Sequence, residues 1–359
     1  MRVLVVNAGS SSVKLSVLGP RDEVLASESV PVRRNVWDRG ALEAALGRFP
    51  APDAVGHRVV HGGREFVSPV RLDARVLGRL RALGDLAPLH QPKSLAGIEA
   101  IERALPGLEA VACFDTAFHA GIPQEASTYA VPERWRSGFG VRRFGFHGLS
   151  HAYASRRAGE VTGGARRVVV AHLGAGASLA AVLEGRGVDT TMGFTPLEGL
   201  VMATRSGSVD PGMVLWLQQH AGVAVEEIAD ALEHRSGLWA LAGTSDMREV
   251  LERGDEDASL AAGVYVHRLR AGVAAMAASL GGLDALVFTG GVGEGSALVR
   301  GRAAEGLGFL GVEVDAGANA GVGGEGEVSA AGASVRTLVV RAREDVEVAR
   351  GVREVLGRG

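Results

Sequence analysis

The chain has 359 residues, 38 Lys or Arg against 41 Asp or Glu, and a formal net charge of −3. It lacks the basic surplus of a nucleic-acid binder, and 47% hydrophobic residues exclude global disorder. Cys113 is the only cysteine, which excludes a disulfide framework and a cysteine-based zinc site and fits a reducing compartment. At roughly 100–200 residues per domain, two domains are expected. The opening Met-Arg-Val-Leu-Val-Val-Asn turns polar too soon for a signal peptide, so a cytoplasmic location is expected. The least polar stretch, 271–293, is mostly Ala and Gly and contains Asp284. It reads as a helix running into a buried strand, not as a membrane span.

In chain order, residues 3–7 form an apolar run with a polar end. Small residues 8–12 read as a turn, and Val13, Leu15 and Val17 alternate as in a strand. Residues 23–32 offer a third strand, and 41–49 and 72–83 look helical. Apolar runs at 54–60 and 108–114 are bounded by turn chemistry and read as buried strands. The order is strand, strand, strand, helix, strand, helix, strand. It restarts at 168–173, another apolar run, followed by the small-residue turn 174–178 and a strand over 179–183. Laid over residues 7–18 without a gap, residues 172–183 match at Gly9/Gly174, Val17/Val182 and Leu18/Leu183. The shared strand–turn–strand start of each half points to an internal duplication. A third strand at 185–191 follows, then helices around 212–221, 225–233 and 257–280, and a buried strand at 285–289 entering Gly290-Gly291-Val292-Gly293-Glu294-Gly295. Residues 316–326 read as a glycine-rich loop, 334–341 as a last strand and 345–356 as a terminal helix.

A Walker-type phosphate loop needs Gly-Lys-Ser/Thr. The only lysines, Lys14 and Lys93, do not follow a glycine, so that class is excluded. The G-x-G-x-x-G match at Gly321, Gly323 and Gly326 opens no helix in this reading and is taken as surface loop. Three other loops suit phosphate better. The turns at 7–12 and 174–178 each sit between strands, with Lys14 one alternation beyond the first. The turn at 290–295 leaves a buried strand, where glycines allow close backbone approach to a ligand. Two matched hairpins and a third glycine turn describe a nucleotide cleft between duplicated domains.

Arg58 and Asp115 stand near the ends of two buried strands, where open α/β sheets place ligands. The other reading of the pair is a buried ion pair. His147 and His151 have the spacing of a zinc helix. They lack its glutamate and carry Gly148 between them, which leaves a phosphate-contacting or a backbone-satisfied core histidine. Arg205, among Thr204, Ser206 and Ser208, suits an oxyanion.

The sequence resembles the acetate kinase family. Asn7-Ala8-Gly9-Ser10-Ser11-Ser12-Val13-Lys14 carries the likeness, with the stretch around Arg58, residues 114–119, 146–151, the long run 189–205, and 288–294. The blocks follow family order over nearly the whole chain. The resemblance implies an α/β protein of two duplicated ribonuclease-H-like domains, the actin-like ATPase fold, divided as 1–116 plus 343–359 and 117–342. It implies ATP/ADP and acetate/acetyl phosphate as substrates, Mg²⁺ (or Mn²⁺) as the metal, and a homodimer without nucleic-acid or membrane partners.

By the same resemblance, Asn7 and Glu344 match the metal positions and Lys14 an ATP position. Arg58 matches the carboxylate-binding arginine, Asp115 the catalytic acid, and His147 and Arg205 the transition-state stabilisers. His172, Leu173, Gly174, Ala175 and Gly176 match nucleotide segments, as do Asp246, Met247, Arg248, Gly291, Val292, Gly293, Glu294 and Gly295. Val60, Leu89, Phe146 and Pro196 match the pocket for the acetate methyl. Three positions depart. The family usually has Asn where Ala175 and Gly295 stand, and Thr-Asn-Glu-Glu where this chain has Ala342-Arg343-Glu344-Asp345. These departures bear on nucleotide affinity, metal affinity and turnover, not on fold. Two rivals stay within the family: a propionate or butyrate kinase, and a nucleotide-binding member with reduced turnover. A third, a nucleotide-dependent switch, would need peptide-binding sequence beyond the two domains.

A carboxylate acceptor is ionised at neutral pH and needs no general base. The difficulty is bringing two anions together. Arg58 is expected to hold the carboxylate, with Arg205 and His147 on the transferring phosphoryl group and Asp115 orienting an arginine or the hydrated metal.

Overall fold

A computed structural model describes residues 1–8, 12–33, 36–84 and 91–357. The chain divides into two compact units, residues 1–120 with 146–153 and 343–359, and residues 121–145 with 154–342. The expected division cut once after 116. Here 117–120 and 146–153 also go with the first unit.

The first unit holds a seven-stranded sheet. Its strands are β1 (Val3–Ala8), β2 (Ser12–Leu18), β3 (Val24–Arg33), β4 (Val36–Trp37), β5 (Ala54–Val59), β6 (Val70–Arg71) and β7 (Ala110–Phe114), in the order β4-β3-β2-β1-β5-β7-β6. β1 carries Val and Leu on both faces, while β2 presents Val13, Leu15 and Val17 on one face and β5 presents Val55 and Val59. One face packs Leu4, Val6, Leu15, Val17 and Val55 with Leu42, Ala45 and Ile101 from the helices Arg39–Arg48 and Gln91–Ala104. The other packs Val3, Val5, Val111 and Cys113 with Val346, Val348, Ala349 and Val352 of the helix Glu344–Val355. The terminal helix thus returns to the first sheet and sets Glu344 at its own start.

The second unit holds β8 (Arg167–Leu173), β9 (Ala177–Leu183), β10 (Arg186–Thr190), β11 (Ala285–Thr289), β12 (Gly326–Glu327) and β13 (Arg336–Val339), in the order β10-β9-β8-β11-β13-β12. Apart from the two-residue β4, which has no counterpart, this repeats the order of the first sheet. β1–β2 and β8–β9 are antiparallel; β1–β5, β5–β7, β8–β11 and β11–β13 are parallel. Each sheet also ends on a short antiparallel strand, β6 or β12. This is the duplicated ribonuclease-H-like arrangement. The register corrects one detail of the overlay. Ala8 pairs with Val13 and Leu173 with Ala177, so the second turn is one residue shorter and the ungapped alignment slips by one after it.

Other elements differ from expectation. The helices Gln91–Ala104 and Gly148–Thr162 were not foreseen. Residues Gly290–Gly295 form a short helix where a glycine loop was expected, and 316–326 contain the helix Ala316–Gly321 and the start of β12, not loop alone. Among the described residues no helix is long and apolar enough to cross a membrane.

Candidate active site

In the first unit, β5 and β7 run parallel with Arg58 opposite Cys113, so Arg58 and Asp115 emerge at neighbouring strand ends. Asp115 takes the guanidinium in a fork: Nε donates to Oδ1 at 2.9 Å and Nη2 to Oδ2 at 2.6 Å. Arg58 Nη1 donates to Asn7 Oδ1 at 3.0 Å and to Glu344 Oε2 at 2.9 Å, and Asn7 Nδ2 donates to the same Glu344 oxygen at 2.8 Å. Three strand ends and one helix start thus converge on four side chains. The ion-pair reading of Arg58 and Asp115 is observed, and the pair lies beside Asn7 and Glu344, two other expected site residues.

Arg58 stays charged, because Asp115 and Glu344 together outweigh its burial. Burial lifts the Asp115 carboxyl, Arg58 pulls it down and Glu344 pushes it up again, and the net displacement is upward. With both carboxylates ionised the cluster carries one negative charge in excess. Hard oxygen donors and surplus negative charge suit a divalent cation. Among the described residues there is no group of three or more His, Cys, Asp or Glu that could hold a metal ion by itself. What Asn7 and Glu344 offer is the one or two hard oxygen donors that Mg²⁺ takes from a protein when waters and substrate oxygens complete its shell.

Gly148 sits against this cluster. Its amide donates to the Asp115 carbonyl at 2.9 Å, and a Cβ there would lie 2.1 Å from that oxygen. His147, just before it, has a φ of 54° and its carbonyl accepts from the His151 amide at 2.9 Å, opening the helix Gly148–Thr162. His147 is half-buried and His151 is buried. Phe146 is buried edge-on to His61, and its carbonyl meets His119 Nε2 at 3.1 Å. Val60 is half-buried at the end of β5. Lys14 is exposed on β2, opposite Asn7 in register. Leu89 lies outside the described residues.

In the second unit Arg205 is largely buried. Nη1 donates to the Pro196 carbonyl at 3.2 Å and lies 3.7 Å from Met202 Sδ, and Nε is 3.5 Å from Glu233 Oε2. Burial lowers its pKa, and Glu233 opposes that only in part. The segment bearing Pro196 is braced by Glu198, which accepts from Tyr129 and from Arg143 Nη2 at 2.8 Å.

A cavity of about 790 Å³ also lies within the second unit. Gly174, Ala175, Asp246, Met247, Arg248, Gly291, Val292 and Gly295 line it, which gathers residues from all three expected nucleotide segments. His172 and Leu173 end β8, and the Gly174 amide closes the hairpin turn on the Gly176 carbonyl at 3.0 Å. Gly290, at φ +80°, passes so close to Leu173 that a Cβ would meet its backbone at 2.8 Å. Glu294 Oε1 ties this turn to the chain after β13, accepting from the Gly290 amide at 3.0 Å and the Ala342 amide at 2.9 Å. Gly293 is buried beneath the same turn. Asp246 caps the helix Met247–Glu252 and holds Arg248 Nη2 at 2.6 Å.

Two contributors were not foreseen. Tyr265 lines the cavity. Arg300 is 2% exposed and braces the glycine turn from behind, donating from Nη1 to the carbonyls of Gly293 at 2.9 Å and Glu294 at 2.8 Å, and from Nε to Asn319 Oδ1 at 2.7 Å. Of the departures, Ala175 and Gly295 line the cavity. Arg343 pairs with Asp345 at 2.9 Å and donates to the Asp22 carbonyl at 3.1 Å.

The acetokinase family profile matches residues 50–350. An acetate kinase of Deinococcus deserti is 47% identical, with 99% of this chain and 98% of that protein covered. The crystal structure of Porphyromonas gingivalis acetate kinase superposes with a TM-score of 0.90 at 37% identity, covering 99% of each chain. A propionate kinase from Francisella tularensis superposes at 0.89 with 35% identity, covering 98% of each. A profile over most of the sequence and relatives alike from end to end give one conclusion: the chain belongs to the acetokinase family.

Proposed function

We propose that this protein transfers the γ-phosphoryl group of ATP to acetate, reversibly, giving acetyl phosphate and ADP by direct in-line transfer. The observation that carries the reading is near-whole-chain identity, up to 47%, to proteins named acetate kinase. In this reading the parts are as follows. The cavity of the second unit takes the nucleotide, with the turns at 174–176 and 290–295 presenting backbone to its phosphates and Lys14 adding charge. Arg58 has four of its five N–H donors engaged, which leaves one for the acetate carboxylate. Val60, Phe146 and Pro196 offer apolar surface to the methyl group. Arg205 and His147 neutralise the transferring phosphoryl oxygens, the usual way such sites lower the barrier. Asn7 and Glu344 hold Mg²⁺, which supplies charge neutralisation on the phosphates when bound. Asp115 acts by orienting Arg58.

Two finer points belong to this reading. We assign a homodimer, supported by the helix Pro211–Gln219, which has no buried residue and exposes Met213, Leu215 and Trp216. We assign the cytoplasm, supported by Cys113, a buried free thiol.

The test is a hydroxamate assay of acyl phosphate formation with ATP, Mg²⁺ and acetate, propionate or butyrate. One methylene in an apolar pocket is worth about 1–3 kcal/mol, so propionate should be a poorer substrate than acetate and still a substrate. A preference for propionate or butyrate would replace the proposed acceptor. Nucleotide binding without product would identify a member with reduced turnover.

A further inference from the structure

A second cavity, of about 310 Å³, lies within the first unit, at the starts of β5 and β7. Arg58 and Asp115 stand toward the other ends of those strands, and the proposed reaction gives this cavity no role. Side chains alternate along a strand. Val55 packs with Ile101 and Val59 with Ile98, both on the helix Gln91–Ala104. His57, between the two valines, therefore faces the same helix, and it lines the cavity together with Ile98 and Ile101. The residue is 3% exposed. Its ring has no hydrogen-bond partner among the described residues, and burial is the one cause that displaces its pKa. Neither ring nitrogen is among the fully enclosed, unpaired atoms of the described residues, so each keeps an opening, and the cavity is the space on that face. A buried polar group without a partner costs free energy, and native structures rarely leave one without a reason. Burial also keeps the ring neutral at physiological pH, so it offers one donor and one acceptor.

The rest of the lining shows what would pair with it. Val55, Leu77 and Leu105 join the two isoleucines as aliphatic walls. The charged lining is Arg71, Asp73, Glu102 and Glu109, and of these Arg71, Asp73 and Glu102 are exposed and form the mouth. Arg71 is paired with Glu109 at 2.7 Å. Glu102 has no ion pair among the described residues, and Asp73 caps the helix Ala74–Ala82. One cation against three carboxylates leaves the mouth negative, which repels carboxylates and phosphates and favours an ammonium group. Apolar walls with a few placed polar groups are the usual make-up of a small-molecule site, and the volume lies at the lower end of that range. We propose that this cavity binds a small aryl-alkyl ammonium ion, with its ring between the aliphatic walls, a hydroxyl at its far end on His57 and its ammonium group at the mouth beside Asp73 and Glu102. The site is separate from the proposed reaction and does not depend on it.

The probe is tyramine, titrated into the full-length protein by calorimetry. It should bind saturably, with a Kd below about 1 mM. Phenethylamine, which lacks the hydroxyl, should bind about 3–10-fold more weakly, the range for losing one hydrogen bond. The analogue 3-(4-hydroxyphenyl)propionate, which carries a carboxylate in place of the ammonium group, should show no binding at 5 mM. His57→Phe keeps a flat ring and removes both nitrogens, and tyramine affinity should fall by the same 3–10-fold. Glu102→Gln changes an exposed side chain, so folding is not at issue, and it should weaken tyramine about 2–4-fold at low salt and less at high salt. Tyramine that fails to saturate below 5 mM would overturn the proposal. So would an affinity within 1.5-fold of the parent in Glu102→Gln at low salt, or binding of the propionate as tight as that of tyramine.

Discussion

Arg58 and Arg205 are both mostly buried guanidiniums, and they differ in what balances their charge. Arg58 is forked by Asp115 at 2.6 and 2.9 Å and touched by Glu344 at 2.9 Å, so its surroundings hold more negative than positive charge. Arg205 meets a carbonyl and a thioether, and its one carboxylate, on Glu233, stands 3.5 Å from Nε. The first arginine is a fixed part of its unit, able to lend one donor. The second is a desolvated cation with weak compensation, the state in which an added anion gains most from contact. Under the proposed function, holding a substrate in register and meeting charge that develops during transfer would fall to different kinds of arginine.

Two substitutions would break this contrast if it is wrong. Arg205→Ala should lower kcat by about 10³–10⁵-fold, the range for an arginine facing a transferring phosphoryl group, with little change in thermal midpoint. Arg58→Ala should also abolish turnover, and it leaves two carboxylates without their partner, a loss of about 3–5 kcal/mol for a buried pair. Equal midpoints in the two variants would erase the distinction. Asp115→Asn comes next in size. Asparagine keeps one acceptor and presents an amide N–H₂ to a guanidinium that can only donate. Turnover should fall about 10²-fold through misplacement of Arg58, with a higher Mg²⁺ requirement and an unchanged pH–rate limb. Disappearance of that limb would mean that Asp115 transfers a proton.

Much of this site was legible because its chemistry sits at the ends of apolar runs. Residues 54–60 and 108–114 read as buried strands from composition alone, and their polar ends gave Arg58 and Asp115. Asn7 and Glu344 came from family likeness, since nothing local in Ala342-Arg343-Glu344-Asp345 shows that the terminal helix returns to the first sheet. The helix Gln91–Ala104 was missed although Pro92 stands near its start and Leu95, Ile98 and Ile101 recur every three residues, because lysine, serine and glycine dilute the stripe. The helix Ala316–Gly321 was hidden by its glycines, and Asp315, which caps it, was the available signal. Arg300 and Tyr265 were not legible at all. An arginine on a helix ordinarily reads as surface, and its bond to Asn319 joins residues 19 apart in sequence. A tyrosine in an alanine-rich helix reads as core.

The units also differ in how they should respond to acid. In the first unit burial depresses the pKa of His57 to about 3 and of His61 and His119 to about 4, and it is the leading cause in each. In the fold they stay neutral while the unfolded chain protonates near 6.5. Their contribution is therefore complete above about pH 6.5 and is lost as pH falls toward the folded values, at about 1.4 kcal/mol per proton per pH unit. Hydrogen exchange at pH 5 should show the first unit losing protection before the second. His57→Asn should shrink the stability difference between pH 7 and pH 5 by about 2 kcal/mol. Simultaneous loss of protection in both units would count against a local origin.

The smallest expected effect concerns the departure that looked most disruptive in the sequence. Arg343 places a positive charge one residue before Glu344, a proposed metal ligand, and by charge alone it should repel a divalent cation. Its guanidinium is instead committed to Asp345 and the Asp22 carbonyl, and Arg353 also binds the Asp22 carboxylate at 2.6 Å. The charge is locally balanced and partly solvated, with the Arg343 side chain 29% exposed, so its field at Glu344 is weak. Partly exposed pairs of this kind contribute about 0–1 kcal/mol. Arg343→Asn should therefore change the Mg²⁺ concentration needed for half-maximal activity by less than about fivefold and leave kcat nearly unchanged. A tenfold or larger drop in that concentration would show that the arginine opposes the metal, and that the balanced surroundings of the first unit do not extend to its terminal helix.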